Sequence, residues 1–353
     1  MELLTVGDPT PDFTTASTTN PQYHFNTVAG RYVVLCFFQS AVNELSQQIL
    51  RELFQYRALF DDENVCFFGV SSDPEDEKFS RVQQQLPGIR FLWDFEQTVS
   101  KLFGASEQCT YILDERLRVL AVFPFHREPS YHVAKILDFF SRLPVFPSAT
   151  TANLQAPILV IPRIFEPQLC QALIHYYAHN GGEESGFMQE VEGRTVGVME
   201  NSFKRRRDQD ILDKKLRELT AYRIYKRLVP EIHKAFQFKA TRIERNLIAC
   251  YDSKSGGFFR PHRDNTTKGT IHRKFAVSLN LNTGEYEGGF LRFPEFGRQL
   301  YTVEAGGAMV FSCSLLHEAT PVTKGKRYVY LTFLYNDEAA QIREKYQHLV
   351  GEN

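Results

Sequence analysis

The sequence predicts two domains of different class: an α/β domain with a mixed sheet over residues 1–143, and helices packed on a jelly-roll pair of sheets over residues 157–353. Three observations predict this. A chain of 353 residues exceeds one ordinary domain. Short apolar runs alternate with helical patterns in the first half, whereas in the second half helical patterns come first and short strands follow. Between the halves, residues 144–156 hold Pro144, Pro147 and a cluster of small polar residues, the composition of a linker.

In the first half, residues 31–38 and 65–71 are apolar apart from Arg31 and Ser71 at their ends, as strands covered on both faces require. Residues 43–56 place Leu45, Ile49, Leu50, Leu53 and Phe54 at helical spacing. Asp73 and Pro74 open a further helix, because proline lacks only an N–H that the first turn leaves unpaired. Residues 110–114 and 118–123 flank a turn and predict a hairpin, and residues 132–143 read as a helix leading to the linker.

The second half opens with a strand at 157–161. Residues 164–180 follow as a helix through Leu169, Ala172, Leu173 and Tyr176. Residues 208–238 carry Leu212, Leu216, Leu219, Ile224, Leu228 and Ile232 at helical spacing, with an interruption expected at Pro230. Past residue 240 the pattern changes to strands at 247–251, 275–281, 289–293, 308–312 and 327–335, separated by Gly284, Gly288-Gly289 and Gly306-Gly307. Helices followed by short antiparallel strands predict the double-stranded β-helix, or jelly roll, with packed helices.

Composition narrows the function. A net charge of −1 gives no electrostatic case for nucleic acid or an anionic membrane as partner. No run of 18 apolar residues is present, so no spanning helix is expected. The start of the chain lacks a basic region followed by an apolar one, so no secretory signal is expected. Six scattered cysteines with no CxxC argue against a zinc ribbon or a dithiol motif and read as reduced thiols of a cytoplasmic protein.

The chemistry concentrates in His262-Arg263-Asp264, His317 and Arg327. Residues two apart on a strand point the same way, so His262 and Asp264 are expected to project together, with His317 meeting them across the barrel. Two imidazoles and one carboxylate occupy one face of a non-haem ferrous iron and leave its other positions open. Arg327 offers a fork that grips a carboxylate bidentately, and the Tyr251 hydroxyl could assist it. The competing readings are plainer. Asp264 could cap the turn at 265–267, Arg327 could be an edge-strand charge, and Tyr251 a core tyrosine. His272 reads as a surface or capping histidine. The run Lys204-Arg205-Arg206-Arg207 reads as a solvated approach to a helix, with an acidic group on the substrate as the alternative.

About residues 157–340 resemble the iron(II)- and 2-oxoglutarate-dependent dioxygenases, in particular the prolyl-hydroxylase-like branch. The matching residues are Tyr251, Gly256-Gly257, Arg260-Pro261-His262-Arg263-Asp264, the GGFLRFP run at 288–294, His317 and Lys324-Gly325-Lys326-Arg327. The resemblance implies that His262, Asp264 and His317 bind Fe(II) and form the catalytic centre. It implies that Arg327 pairs with the distal carboxylate of 2-oxoglutarate with Tyr251 assisting, that O2 is the oxidant, and that ascorbate serves as reductant. The reaction implied is decarboxylation to succinate coupled to hydroxylation of a C–H bond, on a peptidyl proline or other side chain or on a small metabolite. Members that halogenate lack the carboxylate ligand, so Asp264 favours hydroxylation.

Residues 3–142 resemble the peroxiredoxin (AhpC/TSA) branch of the thioredoxin fold. The matching segments are Gly7-Asp8-Pro9-Thr10-Pro11-Asp12-Phe13, Gly69-Val70-Ser71-Ser72-Asp73, Phe91-Leu92-Trp93-Asp94, Phe103-Gly104 and Tyr111-Ile112-Leu113-Asp114. That family places its peroxide-reducing cysteine at the start of the helix after the first buried strand. Residues 39–48 contain none, and Cys36 lies within the apolar strand, where burial suppresses a thiolate. The resemblance therefore implies a peroxiredoxin-like scaffold without peroxidase chemistry, serving dimerisation, substrate delivery or packing. The expected partners are a small-molecule or peptidyl substrate and a second copy in a homodimer. The alternatives to an oxygenase are a thiol-dependent peroxidase or a non-catalytic scaffold.

Overall fold

Strand Tyr32–Gln39 organises the first half, because alternate side chains feed two separate apolar layers. Val33, Leu35 and Phe37 enter one layer with Phe68, Val99 and Phe103; Val34, Cys36 and Phe38 enter the other with Ile49, Leu53, Val133 and Ile136. This explains why the run carries no polar alternation. The computed structural model describes residues 3–148, 151 and 154–350, in two units spanning 1–150 and 151–353. Residues 149, 150, 152 and 153 of the expected linker lie outside the described residues.

In the first unit the sheet order is Tyr23–His24, Thr14–Ser17, Ile89–Trp93, Val65–Ser71, Tyr32–Gln39, Cys109–Leu113, Val119–Pro124. The three central strands run parallel and the last two add antiparallel, closing as the expected hairpin. Helix Glu44–Gln55 starts where Asn43 Oδ1 accepts from Ser46 N at 3.1 Å, and Pro74–Lys78 starts where Asp73 accepts from Glu75 N at 2.9 Å. The arrangement is the thioredoxin-like fold that the motifs imply.

No thiolate is favoured here. Burial pushes the Cys36 thiol up to about 12. The loop before helix Glu44–Gln55 is held by carboxylates: Asp76 accepts from Ala41 N at 2.8 Å and Ser71 Oγ at 2.6 Å, and Asp73 accepts from Ser40 Oγ at 2.6 Å. Negative charge at that loop opposes a low-pKa cysteine. Cys36→Ala is expected to leave peroxide consumption at the background rate. A measured peroxidase rate that disappears in this variant would restore the peroxidase reading.

The second unit pairs two antiparallel sheets. The larger runs Leu159–Ile161, Ala308–Ser312, Phe275–Asn280, Lys326–Tyr335, Arg242–Asp252, Arg207–Asp210, Glu183–Glu184; the smaller runs Lys204–Arg205, Phe258–His262, His317–Ala319, Leu291–Arg292, Leu300–Tyr301. Leu247, Ala249 and Tyr251 join Phe259, Phe293 and Phe311 in one apolar cluster, whereas Ile248 and Cys250 join Leu173, Ile224 and Ile232 from the helices. The period-2 split of Arg242–Asp252 thus builds the predicted jelly roll with helices on its outer face. Among the described residues no helix is long and apolar enough to cross a membrane.

Two expectations fail, and a third is met in a particular form. Residues 207–210 form a strand paired with Leu247–Cys250, so the long helical stretch starts only at Lys214, capped by Asp213. The interruption at Pro230 takes the form of a π turn over Ile224–Leu228, which ends one α-helix and sets Pro230 in the opening turn of the next, Val229–Phe236, where its missing N–H costs little. The basic run is no solvated approach to a helix: Lys204–Arg205 is an edge strand, Lys204 is 5% exposed, and the Arg206 side chain is 7% exposed.

Candidate metal centre

His262 ends strand Phe258–His262 and lies directly across from His317, which begins His317–Ala319. Their rings are 4.3 Å apart between centroids. Asp264 sits beyond the strand end, where its N–H donates to Cys313 O at 3.0 Å. A turn, not strand alternation, therefore brings the carboxylate to the imidazoles, which corrects the reason for the pairing while leaving the residues together. Asp264 Oδ1 lies 3.6 Å from His262 Nε2, and Oδ2 lies 3.4 Å from His317 Nε2. All three donor groups fall within 4.8 Å of one another.

The rings are oriented for ligation. His262 Nδ1 is 2.7 Å from Arg260 O and His317 Nδ1 is 3.0 Å from Leu315 O. A carbonyl accepts only, so each Nδ1 carries the proton and each Nε2 lone pair faces Asp264. Such a carbonyl partner is what fixes the tautomer of a metal-binding histidine. Burial, reinforced by the neighbouring His262, lowers His317 to about 4, so its imidazole is neutral at pH 7. Burial works against the Asp264 carboxylate, but His317, His262 and Arg273 together hold it well below the usual range. A neutral imidazole at His317 and an ionised carboxylate at Asp264 are protonation states that suit metal binding.

Arg327 pairs with Tyr251 in the register of Lys326–Tyr335 on Arg242–Asp252. Its side chain is 1% exposed. One Nη2 contact reaches Asn280 Oδ1 at 3.0 Å and another Ser278 Oγ at 3.4 Å, while Nε has no partner. Among the described residues no carboxylate neutralises it. A buried cation without a counter-charge is costly, so this guanidinium points to an anionic ligand. Gly289, at φ 65°, leaves room for it: a Cβ there would sit 2.8 Å from Arg327 Cδ. The edge-strand reading of Arg327 is excluded by its burial. Tyr251 is buried, and its ring lies 5.4 Å from the Arg327 guanidinium carbon while its hydroxyl accepts from Arg206 Nη1 at 3.4 Å.

Behind Asp264 lies a group the sequence did not reveal. His272 is buried rather than surface-capping, and its Nε2 contacts Glu244 Oε2. Arg273 donates to Glu244 Oε1 at 2.7 Å and to Asp264 O at 3.5 Å. These residues meet through pairing of distant strands, so no local pattern could have found them. Burial opposes ionisation of Glu244, yet its hydrogen bond from His272 and the Arg273 charge lower it to about 2. A depressed carboxylate contributes stability above its unfolded value near 4.5, lost as pH falls toward 2. Glu244→Gln is therefore expected to flatten acid unfolding between about pH 5 and 2, and Glu244→Ala to cost about 3–5 kcal/mol in urea titration. An unchanged acid limb in Glu244→Gln would contradict this.

The three donors, Arg327 and Tyr251 line one cavity of about 870 Å³. The donor set suits ferrous iron, and the unpaired Arg327 Nε suits a carboxylate beside it.

Residues 247–335 match the family model of the 2OG-Fe(II) oxygenase superfamily, and residues 6–122 match that of the AhpC/TSA family. A multifunctional procollagen lysine hydroxylase and glycosyltransferase of Caenorhabditis elegans is 31% identical over 96 residues, which is 26% of this chain and 12% of that protein. The chain thus spans about an eighth of that relative. A Pseudomonas putida prolyl-4-hydroxylase structure covers 52% of this chain and 94% of its own at 19% identity and a TM-score of 0.39. Peroxidoxin BcpB of Mycobacterium tuberculosis covers 40% of this chain and 99% of its own at 19% identity and a TM-score of 0.32. Residues 247–335 are accordingly a 2OG-Fe(II) oxygenase domain, and residues 6–122 an AhpC/TSA domain that lacks a cysteine at its helix start.

Proposed function

We propose that this protein is a 2-oxoglutarate-dependent hydroxylase in which His262, Asp264 and His317 hold Fe(II) and Arg327 binds the distal carboxylate of 2-oxoglutarate. The observation that carries it is the buried Arg327 guanidinium, which has no carboxylate partner among the described residues and shares a cavity with the three donors. When bound, iron and co-substrate supply oxidation of a C–H bond by O2 with decarboxylation to succinate, and ascorbate serves to keep the metal reduced.

The chain's own residues set that chemistry up. Arg260 O and Leu315 O hold the imidazoles in the tautomer whose Nε2 can donate. Phe259 stacks on His262 at 3.5 Å and Phe311 meets the His317 ring at 4.6 Å, excluding water from two sides of the centre. Asn280 and Ser278 fix the Arg327 fork, and Tyr251 packs on it. Asp264 fills the carboxylate position, which favours hydroxylation over halogenation. The substrate is a peptidyl side chain or a small metabolite. Anaerobic Fe(II) titration followed by succinate formation from 2-oxoglutarate tests the reading. Protein that takes up no metal, or makes no succinate when metal-loaded, would remove it.

A further inference from the structure

A second cationic site adjoins the metal centre. Arg206 is locked to Asp208, with Nε to Oδ1 at 2.6 Å and Nη2 to Oδ2 at 2.5 Å. Arg245 approaches the same carboxylate at 3.8 Å. Among the described residues Lys204 Nζ donates to neutral acceptors only, Ser185 Oγ at 2.6 Å and Gly186 O. Arg206 and Arg245 therefore share one carboxylate, itself further engaged by Ser185 Oγ at 2.5 Å, and Lys204 reaches it only through that Ser185 hydroxyl. Burial, with Arg206 close by, pushes Lys204 well below its ordinary range, and Asp208 opposes that shift.

Two observations place this cluster toward the substrate. Lys204 pairs with Phe259, its ammonium lies 4.9 Å from that ring, and the ring stacks on His262. The Tyr251 ring borders both, 5.8 Å from the Arg206 guanidinium and 5.4 Å from that of Arg327. The co-substrate anchor and the cluster are thus separate cationic positions in one cavity. The backbone is also shaped for it. Arg245 has φ 61° beside a bulge between Glu244 and Leu247. Bulges re-aim side chains, and a left-handed non-glycine residue costs energy that is retained at functional positions. Lys204 is buried, whereas the Arg245 side chain is 35% exposed and reachable from solvent.

We infer that Lys204, Arg206 and Arg245 form a subsite for an oxyanion on the prime substrate, a carboxylate or a phosphate. The inference rests on the hydroxylase reading for which group is oxidised, while the oxyanion site itself stands on the cluster. The substrate is then an acidic molecule whose charged group is held to one side of the iron while a C–H bond faces it.

Protein loaded with Mn(II) in place of iron and saturated with 2-oxoglutarate without oxygen is titrated calorimetrically with probes that differ in charge. The pairs are L-aspartate against L-asparagine, L-glutamate against L-glutamine, and O-phospho-L-serine against L-serine. The acidic member of at least one pair is expected to bind about tenfold or more tighter. The winning pair distinguishes carboxylate from phosphate. The preference is expected to vanish in Lys204→Met, which keeps the stem against Phe259, and to weaken in Arg245→Ala at the exposed side. Affinity for 2-oxoglutarate is expected to stay unchanged in both. No preference in any pair overturns the proposal, as does a preference that survives both variants. Loss of 2-oxoglutarate affinity would assign the cluster to the co-substrate and overturn it too. The same pairs titrated into metal-free protein separate the two readings: acid preference in a protein that binds neither metal nor 2-oxoglutarate keeps the subsite and removes the hydroxylase assignment.

Discussion

Asp264→Ala is expected to abolish succinate formation and to weaken Fe(II) binding beyond a hundredfold. Loss of a mere outer partner of a metal ligand costs about 10–100-fold in affinity, and Asp264 faces both imidazoles directly at 3.4 and 3.6 Å. Its removal leaves two imidazole nitrogens and no carboxylate among the donors. His262→Ala is expected to act in the same direction. The measurement is anaerobic Fe(II) titration with folding checked by circular dichroism. Metal uptake undiminished in either variant would show that the cation, if any, sits elsewhere.

Arg327→Ala is expected to raise the Kd for 2-oxoglutarate steeply while sparing metal uptake. Truncating one partner of a buried, hydrogen-bonded charge pair costs about 2–5 kcal/mol, or about 30-fold to several thousandfold. Arg327→Lys is expected to recover only part of this, because an ammonium cannot reproduce the planar fork. Asn280 and Ser278 bond Nη2 alone, leaving Nε for the ligand. Direct titration of the metal-loaded variants with 2-oxoglutarate checks the order. An unchanged Kd in Arg327→Ala would show that the co-substrate binds by another route.

Much of the fold was legible because the apolar pattern follows burial. The run Tyr32–Gln39 reads as a strand since both of its faces are covered, and Asp73-Pro74 reads as a helix start since capping is local chemistry. The three candidate donors were legible by type and order, and the structure brings them together. The reason they converge was not legible: Asp264 lies past the strand end, and only the turn against Cys313 brings it in. Lys204–Arg207 was misread because charge in a sequence suggests solvent, whereas pairing of Lys204 with Phe259 and of Arg207 with Cys250 buries alternate members. Glu244, His272 and Arg273 gave no signal, since their meeting depends on distant segments.

The direct opposition of His262 and His317 bears on folding as well as on chemistry. The strands that carry them share only two aligned positions, Phe259 with Ala319 and His262 with His317, around an irregular register. A cation gripped by both rings therefore acts as a clasp, closing the chain between residues 262 and 317 into a loop and restricting the unfolded ensemble as a cross-link does. At a free-metal concentration of one hundred times Kd, mass action alone adds about 2.7 kcal/mol to the folded state. Occupancy of such a site would then couple closure of the smaller sheet to the free-metal concentration.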